Sequence, residues 1–157
     1  MVNQTIRIGL ISDTHNLVRP EAKRALAGVD RIVHAGDICG PEVLDELRAI
    51  APVVAVRGNN DRGPWAESIP FTQTVELGGV SIYILHDLNG LALDPKAAGF
   101  RIVISGHSHR PAIHEKDGVL FVNPGSAGPR RFRLPISLAI LEITRGGVQA
   151  QLRTLVN

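Results

Sequence analysis

Five short apolar runs in this chain each end in residues that could bind a divalent cation or carry a proton. Ile6-Arg7-Ile8-Gly9-Leu10-Ile11 runs into Ser12-Asp13-Thr14-His15, and Ile32-Val33 into His34-Ala35-Gly36-Asp37. Val53–Val56 runs into Arg57-Gly58-Asn59-Asn60-Asp61. Val80–Leu85 leads to His86-Asp87, and Ile102–Ile104 to Ser105-Gly106-His107-Ser108-His109. Taken singly, each is ordinary: Asp13-Thr14-His15 could cap a helix, and Gly58-Asn59-Asn60-Asp61 is a typical turn. Together they deliver Asp, Asn or His at five strand ends. In open α/β sheets the carboxyl ends of strands border the ligand crevice, so these side chains are expected to converge.

Asp13, His15, Asp37, Asn59, His86, His107 and His109 are seven candidate ligands. Imidazole, carboxylate and amide oxygen, with no thiolate cluster, suit Mn, Fe, Zn or Ni. Seven donors exceed what one tetrahedral ion needs and fit two ions sharing a carboxylate. His107 and His109 stand two apart and would share a face in an extended segment, which by itself suggests one ion held by both. His34 either orients a ligand or is a hydrogen-bonded core residue. His114 reads as a surface residue of a polar hairpin, and Cys39, the only cysteine, as packing.

The elements that must position these residues follow from the apolar periodicity. Ile6–Ile11 is apolar on both faces, as in a buried strand. Pro20–Ala27 and Pro41–Ile50 read as helices opened by proline, and Asp30–Val33 and Val53–Val56 as strands. This β-α-β-α-β order predicts a parallel sheet with flanking helices. The second half predicts a hairpin, Thr72–Leu77 with Val80–Leu85 across Gly78-Gly79, then a strand at Arg101–Ser105. Ala112–His114 and Val119–Val122 bracket a turn, and Ile136–Thr144 pairs with Val148–Leu155. In the last strand Val148, Ala150 and Leu152 are expected to face inward. The expected class is α/β (α+β): a four-layer αββα sandwich of two packed mixed sheets flanked by helices, in one domain spanning 1–157.

Composition excludes several alternatives. The longest apolar run, Ile50 to Val56, is far short of the roughly 20 residues that cross a bilayer, and no basic-then-apolar leader pattern opens the chain. A cytoplasmic location without a membrane partner is expected. A formal charge of +2 is too small to argue for nucleic acid. The one basic cluster, Arg130, Arg131 and Arg133, is either a phosphate contact or a solvated turn.

Asp13-x-His15, Gly36-Asp37, Gly58-Asn59-x-Asp61, the strand-end His86 and Gly106-His107-x-His109 resemble, in this order, the calcineurin-like metallophosphoesterases. The spacing is most similar to their small bacterial and archaeal phosphodiesterase branch, which also carries an Asn-Pro-Gly-Ser segment, here Asn123–Ser126. The resemblance implies that Asp13, His15, Asp37 and His109 hold one divalent ion, and Asp37, Asn59, His86 and His107 a second, with Asp37 as bridge. Manganese is the first expectation, with Ni, Fe, Zn or Mg as alternatives. It further implies hydrolysis of a small phosphodiester by a hydroxide bridging the two ions, with Asp37, Asn59, Asp61 and His107 serving catalysis. The rivals are a nucleotide or protein phosphomonoesterase on the same site, and a non-catalytic scaffold resembling a retromer subunit; homo-oligomers are compatible with each.

Two positions depart from the family pattern. Many relatives have a histidine where this chain has Asn60, thought there to protonate the leaving group. Asparagine is no acid near neutral pH, so good leaving groups are expected to be preferred. Asp87 stands where relatives usually have glycine, and either orients His86 or faces solvent. The loops from Asp61 to Phe71 and from Asp87 to Ala98 are the expected specificity elements.

Overall fold

Proline opens each helix of the first half, where a missing N–H costs nothing and the ring pre-sets φ. The computed structural model describes residues 5–156. Strand β1 (Ile6–Ile11) is followed by α1 (Pro20–Ala25), β2 (Arg31–His34), α2 (Pro41–Arg48), β3 (Val53–Ala55) and α3 (Pro64–Glu67). Then come β4 (Thr72–Leu77), β5 (Val80–Leu85), a 3-10 turn at Leu88–Gly90 and β6 (Ile102–Ile104). The chain ends in two hairpins, β7 (Ala112–Lys116) with β8 (Val119–Asn123), and β9 (Ile136–Thr144) with β10 (Gly147–Val156). Helices of 6, 8 and 4 residues are too short to stand alone, so they depend on the sheet beneath them.

Two five-stranded mixed sheets result, ordered β10-β9-β1-β2-β3 and β4-β5-β6-β8-β7. In the first, β1, β2 and β3 are parallel and β9 and β10 are antiparallel additions. In the second, β5, β6 and β8 are parallel, with β4 and β7 antiparallel at the edges. Ile8, Leu10 and Val33 of one sheet meet Ile82, Ile84, Ile102, Ile104 and Val122 of the other in a shared core. On the outer face of the first sheet, Ile11, Ile32, Leu138 and Ile140 pack against Leu26, Val43 and Leu47 from the helical side. That double burial is why β1 and β9 read as continuous apolar runs.

The expected helical layers are unequal in thickness. The second sheet's outer face buries only Leu85, Val103 and Val119, beside Tyr83, Leu91 and Phe121. Its cover includes the 3-10 turn and the stretch reaching Phe100, whose ring lies 5.1 Å from that of Tyr83. α3 and the 3-10 turn were not predicted, being 4 and 3 residues long, too short to show a period. In β10 a register shift between Thr154 and Val156 lets Leu155 join the helical side, while Leu152 is 36% exposed rather than inward.

Gly9 is required by packing. A Cβ there would overlap Leu26 Cδ2, and Leu26 is fully buried. Gly9→Ala should therefore cost about 1–3 kcal/mol by overpacking, and Leu26→Ala about 2–5 kcal/mol by leaving a cavity. Urea unfolding of the double variant should give less than the sum, because the new methyl fills part of that cavity. Simple additivity would show that the two positions do not compete for the same space.

Candidate metal centre

All six parallel strands end on the same side of the molecule, and the turns that follow them knit together before any side chain is considered. The turn after β1 hydrogen-bonds along the turn after β2: Asp13, His15 and Asn16 N–H donate to the carbonyls of Gly36, Asp37 and Ile38 at 3.0, 3.0 and 2.8 Å. Two glycines permit this closeness. A Cβ on Gly58 would overlap the Asp37 backbone nitrogen, and one on Gly106 would overlap Ser12 Oγ and stand 2.7 Å from Asp13 Oδ2. The backbone is also bent into the left-handed region. Of the nine non-glycine residues with positive φ among the described residues, seven are Asp13, His15, Asn16, Asp37, Cys39, His107 and His109. Each costs on the order of 1–3 kcal/mol, and Asp, Asn and His tolerate that region better than most side chains.

Asp13 is fully buried. Its Oδ2 accepts from Ser12 Oγ (2.7 Å) and from His107 N–H (3.0 Å), tying the two sheets together. Its Oδ1 has no hydrogen-bond partner and faces His109 Nε2 at 3.4 Å, His86 Nε2 at 3.8 Å and His15 Nε2 at 4.0 Å. Asp37 Oδ2 lies 3.3 Å from His86 Nε2 and 3.8 Å from His15 Nε2. His15 Nε2 and His86 Nε2 are likewise buried without a partner. Two overlapping groups thus have metal-ligand spacing: Asp13 with His15 and His109, and Asp13 with Asp37 and His86. Asp13, which the resemblance gave to one ion alone, stands in both.

The second atoms of these rings are occupied in a way that aims the first. His86 Nδ1 donates to Ala35 O at 2.7 Å, and His15 Nδ1 lies 3.5 Å from Cys39 Sγ, so Cys39 does more than pack. Burial pushes Asp37 up, but the facing His86 imidazole and the Asn60 donors outweigh it and hold the carboxyl below its ordinary range. Burial, countered by His109, His86 and Ser12, leaves Asp13 lowered too. Burial also opposes charge on His86, yet Asp37 and Asp13 raise its pKa, whereas burial wins at His15 and lowers it.

Asn59 and His107 stand at the rim, with Asn59 Oδ1 accepting from His107 Nδ1 at 3.2 Å. His109 sits beside His15, with ring centroids 5.4 Å apart, and His107 beside His86 at 5.2 Å. The two histidines therefore point apart, because both are left-handed rather than extended. Asp61 braces the neighbouring turn: its carboxylate accepts from the N–H groups of Asp37, Ile38, Cys39 and Gly58 at 2.8–3.0 Å. Asp87 neither orients His86 nor is idle; its Oδ2 lies 3.7 Å from His107 Nε2.

Sequence reasoning missed the hold of Asn60 on Asp37 and left the roles of His34 and the Asn-Pro-Gly-Ser segment open. Asn60 grips Asp37 with two donors, its N–H to Oδ1 and its Nδ2 to Oδ2, each at 2.9 Å. His34 is fully buried; its Nδ1 accepts from Gly36 N–H and its Nε2 meets Thr14 Oγ1 at 3.0 Å, while burial lowers its pKa to about 3. Asn123 Nδ2 donates to Gly106 O, and Ser126 Oγ to Asp13 O, so the Asn-Pro-Gly-Ser segment buttresses both ligand turns. Arg130 reaches Val156 O instead of the site, whereas Arg131 lies near enough to His15 to disfavour its protonation. His114 is exposed, as expected, and stacks flat on Phe121.

Comparison with known proteins is consistent with this arrangement. The sequence profile described as the calcineurin-like phosphoesterase superfamily domain matches residues 6–146. A probable metallophosphoesterase of Methanothermobacter thermautotrophicus is 35% identical over 157 residues, covering 92% of this chain and 90% of the relative. The structure of an archaeal phosphodiesterase superposes with a TM-score of 0.77 at 25% identity, covering 94% of this chain and 100% of that one. Vacuolar protein sorting 29 from Cryptosporidium parvum, at 21% identity, shares the fold with a TM-score of 0.77 over 98% of this chain and 99% of its own. Among the described residues, no helix is long and apolar enough to cross a membrane. With the profile running from the first strand into the last hairpin and a relative aligned over almost the full length, this chain belongs to the calcineurin-like phosphoesterase superfamily.

Proposed function

We propose that this chain is a metal-dependent phosphodiesterase acting on a small phosphodiester. The observation that carries the reading is the gathering of buried, unpartnered donor atoms, Asp13 Oδ1, His15 Nε2 and His86 Nε2, around a pair of carboxylates. A buried polar atom without a partner is costly, and several aimed at one point fit a cation as their missing partner. Asp13, His15, Asp37 and His109 would hold one divalent ion, and Asp37, Asn59, His86 and His107 a second, manganese being the first expectation. Such ions supply Lewis-acid polarisation of phosphoryl oxygens and a water acidic enough to attack near neutral pH. The archaeal phosphodiesterase with the same fold supports the diester assignment.

The chain's own residues set the conditions. Ala35 O holds the His86 Nδ1 proton, so Nε2 presents its lone pair once deprotonated. Asn60 keeps Asp37 ionised and fixed. The Asn60 amide is committed to Asp37 and cannot donate a proton to a leaving oxygen near neutral pH. The leaving oxygen must therefore rely on another group, which favours esters whose leaving group departs readily as the anion.

Asp37→Asn should lose bound metal and lower activity by more than about 100-fold, the upper end of what loss of an outer partner costs. Metal analysis of the purified protein, with mono- and diesters screened across Mn, Ni, Mg and Zn, measures both, and full activity in the variant would overturn the reading. Metal uptake should also rise with pH. His86 has a raised pKa and must give up a proton, so loading is favoured only above the ordinary histidine value of 6.5. Calorimetry in buffers of different ionisation enthalpy should count that released proton; uptake equal at pH 6 and pH 8 would argue against His86 as a ligand.

For aryl esters, kcat/KM should fall steeply as the leaving group's pKa rises. Asn60→His should flatten that slope, with a gain on alkyl esters of up to about 100-fold, the low end of general-acid catalysis. A flat slope in the parent would sink the proposal.

A further inference from the structure

The fold opens two clefts that share the wall formed by Asp87 and His107. One, of about 270 Å³, runs toward Arg110, Ala112, His114 and Phe121. Its aromatic surface is already engaged, because the His114 and Phe121 rings stack on each other at 5.0 Å and 2°. The other, of about 280 Å³, is lined by Arg57, Asn59, Phe71, Leu85, His86 and His107 among others. It therefore opens directly onto the rim of the metal centre.

Phe71 in this second cleft is 62% exposed. Its position is not loose. The residue before it, Pro70, accepts a hydrogen bond from Arg57 N–H at 2.8 Å. The residue after it, Thr72, pairs with Leu85, so Phe71 stands one step beyond the ladder, opposite His86. The Arg57 guanidinium lies over the Phe71 ring at 5.0 Å, and Arg57 Nε is anchored to Asp61 O at 3.0 Å. An aromatic ring with a backbone-anchored guanidinium over it makes a platform, with most of the ring's surface left to solvent. Planar π-systems stack on such platforms, whereas an alkyl group gains only area burial.

We propose that Arg57 and Phe71 form a subsite that binds a planar aromatic substituent of the phosphoester beside His86 and His107. This rests on the phosphoesterase reading above and names the substrate class of the same site. It agrees with the missing acid at Asn60, because aryl oxides are the leaving groups that depart most readily without a proton. Arg130 and Arg131, the arginines singled out by sequence, line neither cleft.

The test is calorimetric binding of phenylphosphonate and methylphosphonate to the manganese-loaded full chain; neither probe is hydrolysed. The parent should prefer the phenyl compound, and Phe71→Ala should cut that preference about tenfold, as expected for loss of one stacking contact. Phe71→Trp should retain it, and so should His114→Ala in the neighbouring cleft. Equal binding of both probes by the parent would overturn the subsite alone, as would a preference unchanged in Phe71→Ala or abolished in His114→Ala. Failure of both phosphonates to bind would overturn the phosphoesterase reading and the subsite with it.

Discussion

Asp13 and Asp37 lie buried where two apolar sheets meet, and an ionised carboxylate cannot remain there without partners. Much of the surrounding architecture answers that constraint. Asp13 spends one oxygen on Ser12 and on the His107 amide, which belongs to the opposite sheet. Asp37 receives both donors of Asn60. Asp61, also buried, is neutralised by four backbone amides and in return fixes the turn that carries Asp37. What these partners leave over is one oxygen of Asp13 and one edge of Asp37, both facing imidazole nitrogens. The site is the remainder of an otherwise satisfied network, and a cation is the group that completes it.

The same constraint explains the concentration of backbone strain. For side chains from different sheets to meet at one point, the turns must pass closer than ordinary residues allow. Gly58 and Gly106 supply the absent Cβ atoms, and the ligands themselves take the left-handed conformation. Residues in this region are held only because neighbours over-determine them. Ser126 on the Asp13 carbonyl and Thr14 on the buried His34 are two such restraints. Residues that bear no ligand atom therefore matter to the geometry as much as those that do.

This division decides what could be read from sequence. Strand ends were legible because apolar runs that stop at Asp, Asn or His are visible as text, and the two mixed sheets followed from the order of those runs. Partners were not legible, because Asp61 and Asp37 look alike in sequence and differ only in what their oxygens meet. Asn60 is legible as a missing acid; its grip on Asp37 arises only when the turns after β2 and β3 come together. Arg130 and Arg131 attracted attention by clustering, whereas Arg57, a lone arginine after β3, carried no signal until its guanidinium was found over Phe71. The extended-segment rule misjudged how His107 and His109 relate, because it assumes a backbone that neither residue adopts.

The site is consequently built of two parts with different freedom to change. The floor, Asp13, Asp37, His86 and His109, is buried and bonded through both sheets, so a substitution there disturbs charge balance in a dry core. The rim, from Arg57 through Phe71 and around Asp87 and His107, is half-buried to exposed and held mostly by contacts among its own residues. Charge stabilisation needs the rigid floor, since donors must be in place before charge develops. Substrate choice needs only the rim, where one side chain can be exchanged at little cost to folding. Of the two departures from the family pattern, Asp87 lies on the rim beside His107, while Asn60 lies against the floor, where its backbone and side-chain N–H groups hold Asp37.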